Sequence, residues 1–303
     1  MEHSHRYTLA ACLSLALLLA VPAGAFDQPS VNLGFTSFLD GGPPAGPGFY
    51  FAEYVQYYTA DELVNGPPNT EVNVWASLNQ LIYQSNQPLL LGGKWGLDVI
   101  VPLVSIDSTL LPDSATGLGD VLVGPYLQWD PVMGKDGPRF MHRVELQSLI
   151  PVGEYDSGKI LNPGSNFFSF DPYWAATFFF CPKVTVSWRL HYLWNAKNTD
   201  PFVGSGADDT QAGQAFHANF AASYEMVPKK FRLGVNGYFL RQLTDSKVNG
   251  SQVDGKEQVL AVGPGALFSF SQNDHLFFNA YFETNAKYRP EGQRFVLRLV
   301  HHF

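Results

Sequence analysis

The chain has 303 residues, 15% charged and 15% aromatic, with a formal net charge of −8; that acidic balance argues against a nucleic-acid partner, which would want a basic face. Soluble proteins carry about 25% charged residues, and no stretch beyond the N-terminal region approaches about 18 continuous apolar residues, so transmembrane helices are excluded. Sparse charge, dense aromatics and no long apolar run are the profile of a membrane β-barrel.

The first elements are processing signals. Residues 1–8 are polar with Arg6, 9–21 are apolar apart from Ser14, and Ala23-Gly24-Ala25 is a small-residue cleavage site. Residues 1–25 read as a secretory signal cleaved after Ala25. The apolar run is too short for the roughly 20 residues of a membrane span. Leu9-Ala10-Ala11-Cys12 looks like a lipobox, but almost no apolar stretch precedes it. The mature chain then keeps only Cys181, which gives no intrachain disulfide framework. Residues 26–47, rich in Gly and Pro, form a leader that either tucks into a barrel lumen or lies beneath it. The barrel itself occupies 48–303.

Twelve segments of alternating character follow, all read as antiparallel strands of one transmembrane barrel. The first, 49–58, is aromatic on both faces; its inward set is taken as Phe51, Glu53, Val55 and Tyr57. A one-residue slip would invert that set. In 72–82, Val72, Val74, Ala76, Leu78 and Ile82 oppose Asn73, Trp75, Ser77 and Asn79. The segment 94–104 follows, then 121–129, where Val121, Val123, Leu127 and Trp129 oppose Asp120, Tyr126 and Gln128. In 140–150, Val144, Leu146 and Ile150 oppose Arg143, Glu145 and Gln147. After 168–180, the clearest case is 184–195: Val184, Val186, Trp188, Leu190, Tyr192 and Trp194 oppose Thr185, Ser187, Arg189, His191 and Asn195. The segments 216–225, 231–243, 258–270 and 276–289 complete the wall up to the last strand.

Connections alternate in length. Tight turns sit at Cys181-Pro182-Lys183, Val227-Pro228-Lys229-Lys230 and Ser271-Gln272-Asn273-Asp274, and longer Gly/Pro/Asp-rich loops near 59–70, 105–117, 151–166, 196–211 and 245–256. Short turns on one side and long loops on the other is the bacterial outer-membrane arrangement, and an even strand count places both termini in the periplasm. The last strand ends on Phe303, with Phe295, Leu297, Leu299, His301 and Phe303 on one face and Arg294 and Arg298 on the other. A terminal aromatic on such a strand resembles the signal read by barrel-assembly machinery.

This parity yields a candidate pore lining of Glu53, Trp75, Lys94, Asp98, Asp120, Tyr126, Arg143, Glu145, Arg189, His191, His217, Glu225, Arg232, Tyr281, Glu283, Lys287, Arg294 and Arg298. Signs nearly balance, which suits either a charged constriction or a salt-bridge ladder filling a narrow barrel. Inward aromatics, among them Tyr173 and Phe277, could serve flat apolar solutes or pack the interior. Trp129, Trp174, Trp188, Tyr192, Trp194, Tyr224 and Tyr288 read as membrane-interface girdles. No CxxC, metal-ligand spacing, phosphate loop or nucleophile elbow is present, so neither an enzyme nor a cofactor is expected.

Several motifs line up with one family. They are Pro47-Gly48-Phe49-Tyr50; Gly117-Leu118-Gly119-Asp120 with Gly124-Pro125; Pro151-Val152-Gly153-Glu154-Tyr155-Asp156 leading into Asn162-Pro163-Gly164-Ser165-Asn166 and Pro172; Asn198-Thr199-Asp200 with Ser205-Gly206; and Gly263-Pro264-Gly265. The chain resembles the family named after the meta-pathway of phenol degradation over nearly all of its mature length, with Pro-Val-Gly where the family usually has Pro-Thr-Gly. The resemblance implies an outer-membrane barrel linked with breakdown of aromatic compounds and brings no catalytic residues. The expectation is a passive channel for small hydrophobic or aromatic solutes, set among outer-membrane lipid and lipopolysaccharide. The alternative is a closed, salt-bridge-filled barrel with a structural or surface-interaction role.

Overall fold

The computed structural model describes residues 28–303 apart from 36, 44 and 110–112; the expected signal peptide and its cleavage site lie outside the described residues. Twelve antiparallel strands form the wall: β1 Gly48–Leu63, β2 Val72–Leu90, β3 Gly93–Ser108, β4 Asp113–Leu118 with Val121–Gln128, β5 Gly137–Glu145 with Ser148–Ile150, and β6 Ser169–Phe170 with Tyr173–Cys181. They continue with β7 Val184–Asn195, β8 Ala215–Val227, β9 Phe231–Gln242, β10 Gln258–Ser269, β11 Asp274–Lys287 and β12 Pro290–His302. Each pairs with its chain neighbour, and β1 pairs with β12 from Tyr50↔His302 to Leu63↔Pro290, so the expected twelve-stranded barrel is closed and has no free edge. The Phe303 amide donates to the Phe49 carbonyl and finishes the seam. Among the described residues no helix is long and apolar enough to cross a membrane.

The tight reversals adopt the backbone that short hairpins need. Leu91 and Gly92 both take positive φ between β2 and β3, as a two-residue hairpin demands, and Lys229 does so between β8 and β9. The long loops gather at the other end. There Thr210–Gln211, Ser246–Val248 and Ser251–Val253 make a small separate sheet.

Outward faces are apolar. On β7 they carry Val184, Val186, Trp188, Leu190, Tyr192 and Trp194, with Tyr192 and Trp194 44% and 38% exposed. A surface of this kind is stable only when hydrocarbon covers it. Inward faces are buried because residues 28–47 run through the lumen. Val31, Leu33, Phe35 and Phe38 pack against Tyr50, Tyr54, Leu78, Tyr238 and Tyr281 in one core. Burying such a side chain stabilises by about 1.5–3 kcal/mol, so the leader supplies the barrel with the core a wall alone would lack.

That apolar filling corrects the register expected for β1 and β2. Tyr50, Ala52, Tyr54, Gln56 and Tyr58 point inward, whereas Glu53, between Tyr54 and Ala52, faces out. On β2 the inward residues include Leu78 and Gln80, and Trp75 is 55% exposed on the outer wall. The expectation that charge points in failed where the lumen is lined for an apolar segment. Lys287 is also exposed rather than inward. Between Leu260↔Thr284 and Gln258↔Lys287, β11 holds one extra residue, and Asn285 takes positive φ there. Such a bulge re-aims the side chains beyond it.

Candidate functional site

Three neighbouring strands are interrupted within the wall. β4 breaks at Gly119-Asp120, β5 at Leu146-Gln147 and β6 at Asp171-Pro172. Pro125 and Pro172 lack an amide hydrogen, and their carbonyls still accept from Leu146 and Tyr192. On the outer side of the β6 break lies a groove of about 260 Å³. Val144, Trp174, Leu190, Tyr192 and Phe216 line it, with Pro172, Tyr173 and His191 at its base.

The leader descends the lumen from the long-loop end to the short-turn end. At its start Gln28 donates through its side-chain amide to the Gly213 carbonyl (2.8 Å) and through its backbone amide to Glu257 (3.2 Å). Both partners stand at the long-loop rim, whereas the chain's last strand ends at the short-turn end. In mid-lumen Asn219 donates to the Asn32 carbonyl at 2.7 Å and accepts from the Gly34 amide at 2.7 Å, while Arg294 donates to the Leu33 carbonyl at 3.1 Å. Lower down, the Leu39 amide donates to Ser187, the Gly41 amide to Thr177, and Gln128 to the Gly41 carbonyl. Gly41 has to be glycine, since a Cβ would stand 2.4 Å from backbone atoms of Met141 and Thr177. Asp40 takes both Nε and an Nη of Arg189 at 2.9 Å.

Inward side chains interlock around that segment. Arg189 lies 4.2 Å over the Tyr173 ring, and Arg143 donates to the Tyr173 hydroxyl at 2.8 Å. That hydroxyl in turn donates to Glu145, which is wholly buried. Asp98 accepts from Gln80 at 2.7 Å, and Tyr126 stands under Arg143. Across the lumen Arg298 sits 3.7 Å over Phe277, while Arg294 spans Tyr58 and Tyr238. Glu283 accepts from the Tyr58 and Tyr238 hydroxyls at 2.7 Å each, and Tyr281 donates to the Gly34 carbonyl. These residues form one network.

Other candidate lining residues lie at the rims. Lys94 pairs with exposed Asp130 at 2.6 Å, and Glu225 with Arg232 at 3.7 Å, both at the short-turn end. Asp120 ties down a loop: its carboxylate accepts from the Gly153 amide (3.1 Å), the Ser165 amide (2.8 Å) and the Ser165 hydroxyl. Beside it the Leu118 amide donates to Glu154, and Gly153 and Gly164 approach so closely that a Cβ on either would meet the other's backbone under 3.0 Å. The motifs of residues 117–120, 151–154 and 162–166 are thus one loop anchor. The tryptophans and tyrosines expected at the interface, Trp129, Trp174, Trp188, Tyr192, Trp194 and Tyr224, lie on outward positions. Tyr288, with positive φ, sits in the last outer turn.

Asp171, His191 and His217 meet on β6, β7 and β8 with no exposure. Two imidazoles and a carboxylate are a donor set suited to a divalent transition metal. Here the rings stack 4.0 Å apart at 17°, and each presents one nitrogen to one carboxylate oxygen, at 3.1 and 2.9 Å. Side-by-side nitrogens suit two hydrogen bonds better than convergent ligation. Nothing in the spacing of 171, 191 and 217 announced the cluster. The pairing of buried Arg289 with Glu257 at 3.5 Å and the leader's Asp40 were likewise missed; both depend on tertiary contacts.

The family model "Putative MetA-pathway of phenol degradation" matches residues 47–299. Among solved structures, the chain is similar to the COG4313 outer membrane channel from Pseudomonas putida F1, with TM-score 0.76 and 18% identity over 90% of this chain and 100% of that one. It is also similar to the β domain of the Bordetella autotransporter Brka, with TM-score 0.50 and 12% identity over 85% of this chain and 100% of that one. At these identities the likeness is one of fold. No curated protein matches the chain.

Proposed function

The chain belongs to this phenol-degradation family, and on that premise we propose that it is an outer-membrane channel for passive uptake of small hydrophobic or aromatic compounds, working without a cofactor. The leader carries the reading. It fills the lumen without joining the sheet, held by side-chain hydrogen bonds and by Asp40–Arg189. Such a segment can be withdrawn while the ladder of the wall stays intact.

Withdrawal would uncover Tyr54, Tyr173, Tyr238, Tyr281 and Phe277 interleaved with Arg143, Arg189 and Arg298. An empty lumen of that composition is unfavourable in water, since the burial of Leu33, Phe35 and Phe38 is lost. A flat apolar solute restores that burial, stacks on the rings and leaves the guanidinium–ring contacts in place. A hydroxyl on the solute would find acceptors in the same wall. The outer groove over Pro172 gives such a molecule a further apolar seat, with Tyr173 and His191 at its base.

The test is flux of a phenol-class solute into liposomes through the mature chain and through a variant lacking residues 28–42. Uptake by the full chain, increased by the deletion, supports the channel. The interlocked Asp40–Arg189 and Arg143–Glu145 pairs favour a second reading, a closed barrel whose loops meet a partner. That reading is preferred if neither protein passes the solute.

A further inference from the structure

Glu53 is an acid on a face built for hydrocarbon. On the outer side of β1 it stands midway between Phe49 and Tyr57, and in the ladder it pairs with Leu299 of β12 and Asn79 of β2. Ser77, also outward, donates to Glu53 Oε1 at 2.7 Å, and Asn79 donates to Ser77 at 3.4 Å. Around them the outer wall is apolar: Val55, Leu81 and Leu299 are 42%, 59% and 45% exposed. The outward faces of β7 and β8 carry no acid or amide at comparable positions. Among the described residues Glu53 has no cationic partner, and its Oε2 and the Asn79 carbonyl take no hydrogen bond. Polar groups facing lipid are costly and are retained where something covers them.

We propose that this patch is the contact face of a homodimer. A carboxyl that needs a donor and an amide that offers one stand opposite each other on adjacent strands. A two-fold axis along the membrane normal, the only kind that keeps both copies in one orientation, sets the Glu53 of each against the Asn79 of the other at matching depth. The contact is therefore self-complementary, as an isologous interface requires. Polar side chains hydrogen-bonding across lipid-facing surfaces are what join membrane proteins when hydrophobicity gives no drive to associate. The neighbouring Val55, Leu81 and Leu299 give the contact its flat apolar surround.

The experiment measures association of the full mature chain in detergent and in nanodiscs, by light scattering and by bismaleimide crosslinking of Leu81→Cys in a Cys181→Ser background. The wild type is expected to dimerise, and Leu81→Cys to crosslink between copies. Glu53→Leu and Asn79→Leu should each raise the midpoint for dissociation about tenfold in protein concentration, the scale of one lost polar contact. Neither should lose the heat-modifiable mobility of a folded barrel, because leucine suits the lipid face. A wild type that stays monomeric in both media overturns the proposal, including one that carries bound lipid at this patch. A dimer unaffected by either leucine, or one that crosslinks instead from Leu190→Cys on the opposite wall, overturns it as well.

Discussion

Asp40 of the leader and Arg189 of β7 form a two-pronged ion pair, both contacts 2.9 Å, with side chains 8% and 5% exposed. Removing one partner of a buried pair leaves the other charge uncompensated, a loss of about 3–5 kcal/mol. Asp40→Asn should therefore undock the leader while the strand ladder, which it does not join, stays paired. Faster hydrogen exchange over residues 30–42 and higher ion conductance are the expected readings. Unchanged protection of that segment would mean its apolar contacts alone hold it.

Asp120 should govern the loop 151–166. Its carboxylate accepts three hydrogen bonds from Gly153 and Ser165, and each bond to a charged group is worth about 1.5–3 kcal/mol. Asp120→Ala removes all three, and exposed Lys159 in the same loop becomes the reporter. Trypsin should cleave there at least about tenfold faster, as a loss above 1.4 kcal/mol implies, with the barrel still folded.

Much of this was legible beforehand, for identifiable reasons. β7 alternates cleanly because Thr185 to Asn195 face a polar stretch of lumen while Val184 to Trp194 face outward, so period two alone fixed its sides. The turns at Pro182 and Lys229 declared themselves through residues suited to reversal. β1 and β2 were inverted because a strand can be apolar on the inside when another segment fills the barrel. Phe35 and Phe38 are that filling, and nothing in the pattern of 49–83 reports their presence. Lys287 was misplaced by a single bulge at Asn285. The Asp171–His191–His217 cluster and Arg289 became visible only when distant strands were brought together.

Tyr155 links two outer loops, donating to the Asp200 carbonyl at 2.8 Å and accepting from Asn198 at 3.3 Å. Burial raises its phenol above the ordinary value near 10. The undocked loop therefore ionises first. The contribution is fully present below about pH 10 and is lost as pH rises through the higher folded-state value. With a fluorophore on Lys159→Cys in a Cys181→Ser background, anisotropy should show the native loop more rigid than its Tyr155→Phe counterpart at neutral pH. The gap should close well above pH 10. A gap that persists at high pH would show that the phenol's proton is not what couples the loops.

The six tryptophans offer a test of register on both halves of the wall. Trp75, Trp95, Trp129, Trp174, Trp188 and Trp194 all take outward positions, Trp75 being the most exposed at 55%. Brominated lipids should then quench most of the fluorescence, while a polar quencher confined to water should reach little of it. Trp75 discriminates most sharply, because the alternation of β2 read alone points it into the lumen and the filled lumen turns it out. Trp75→Phe should reduce the lipid-quenched emission. It should also disturb Tyr57, whose ring lies 4.6 Å away on β1. If the substitution removed only emission that bromolipid cannot quench, β1 and β2 would have to slip by one residue. Glu53 would then turn inward and its contact with Ser77 would leave the lipid face.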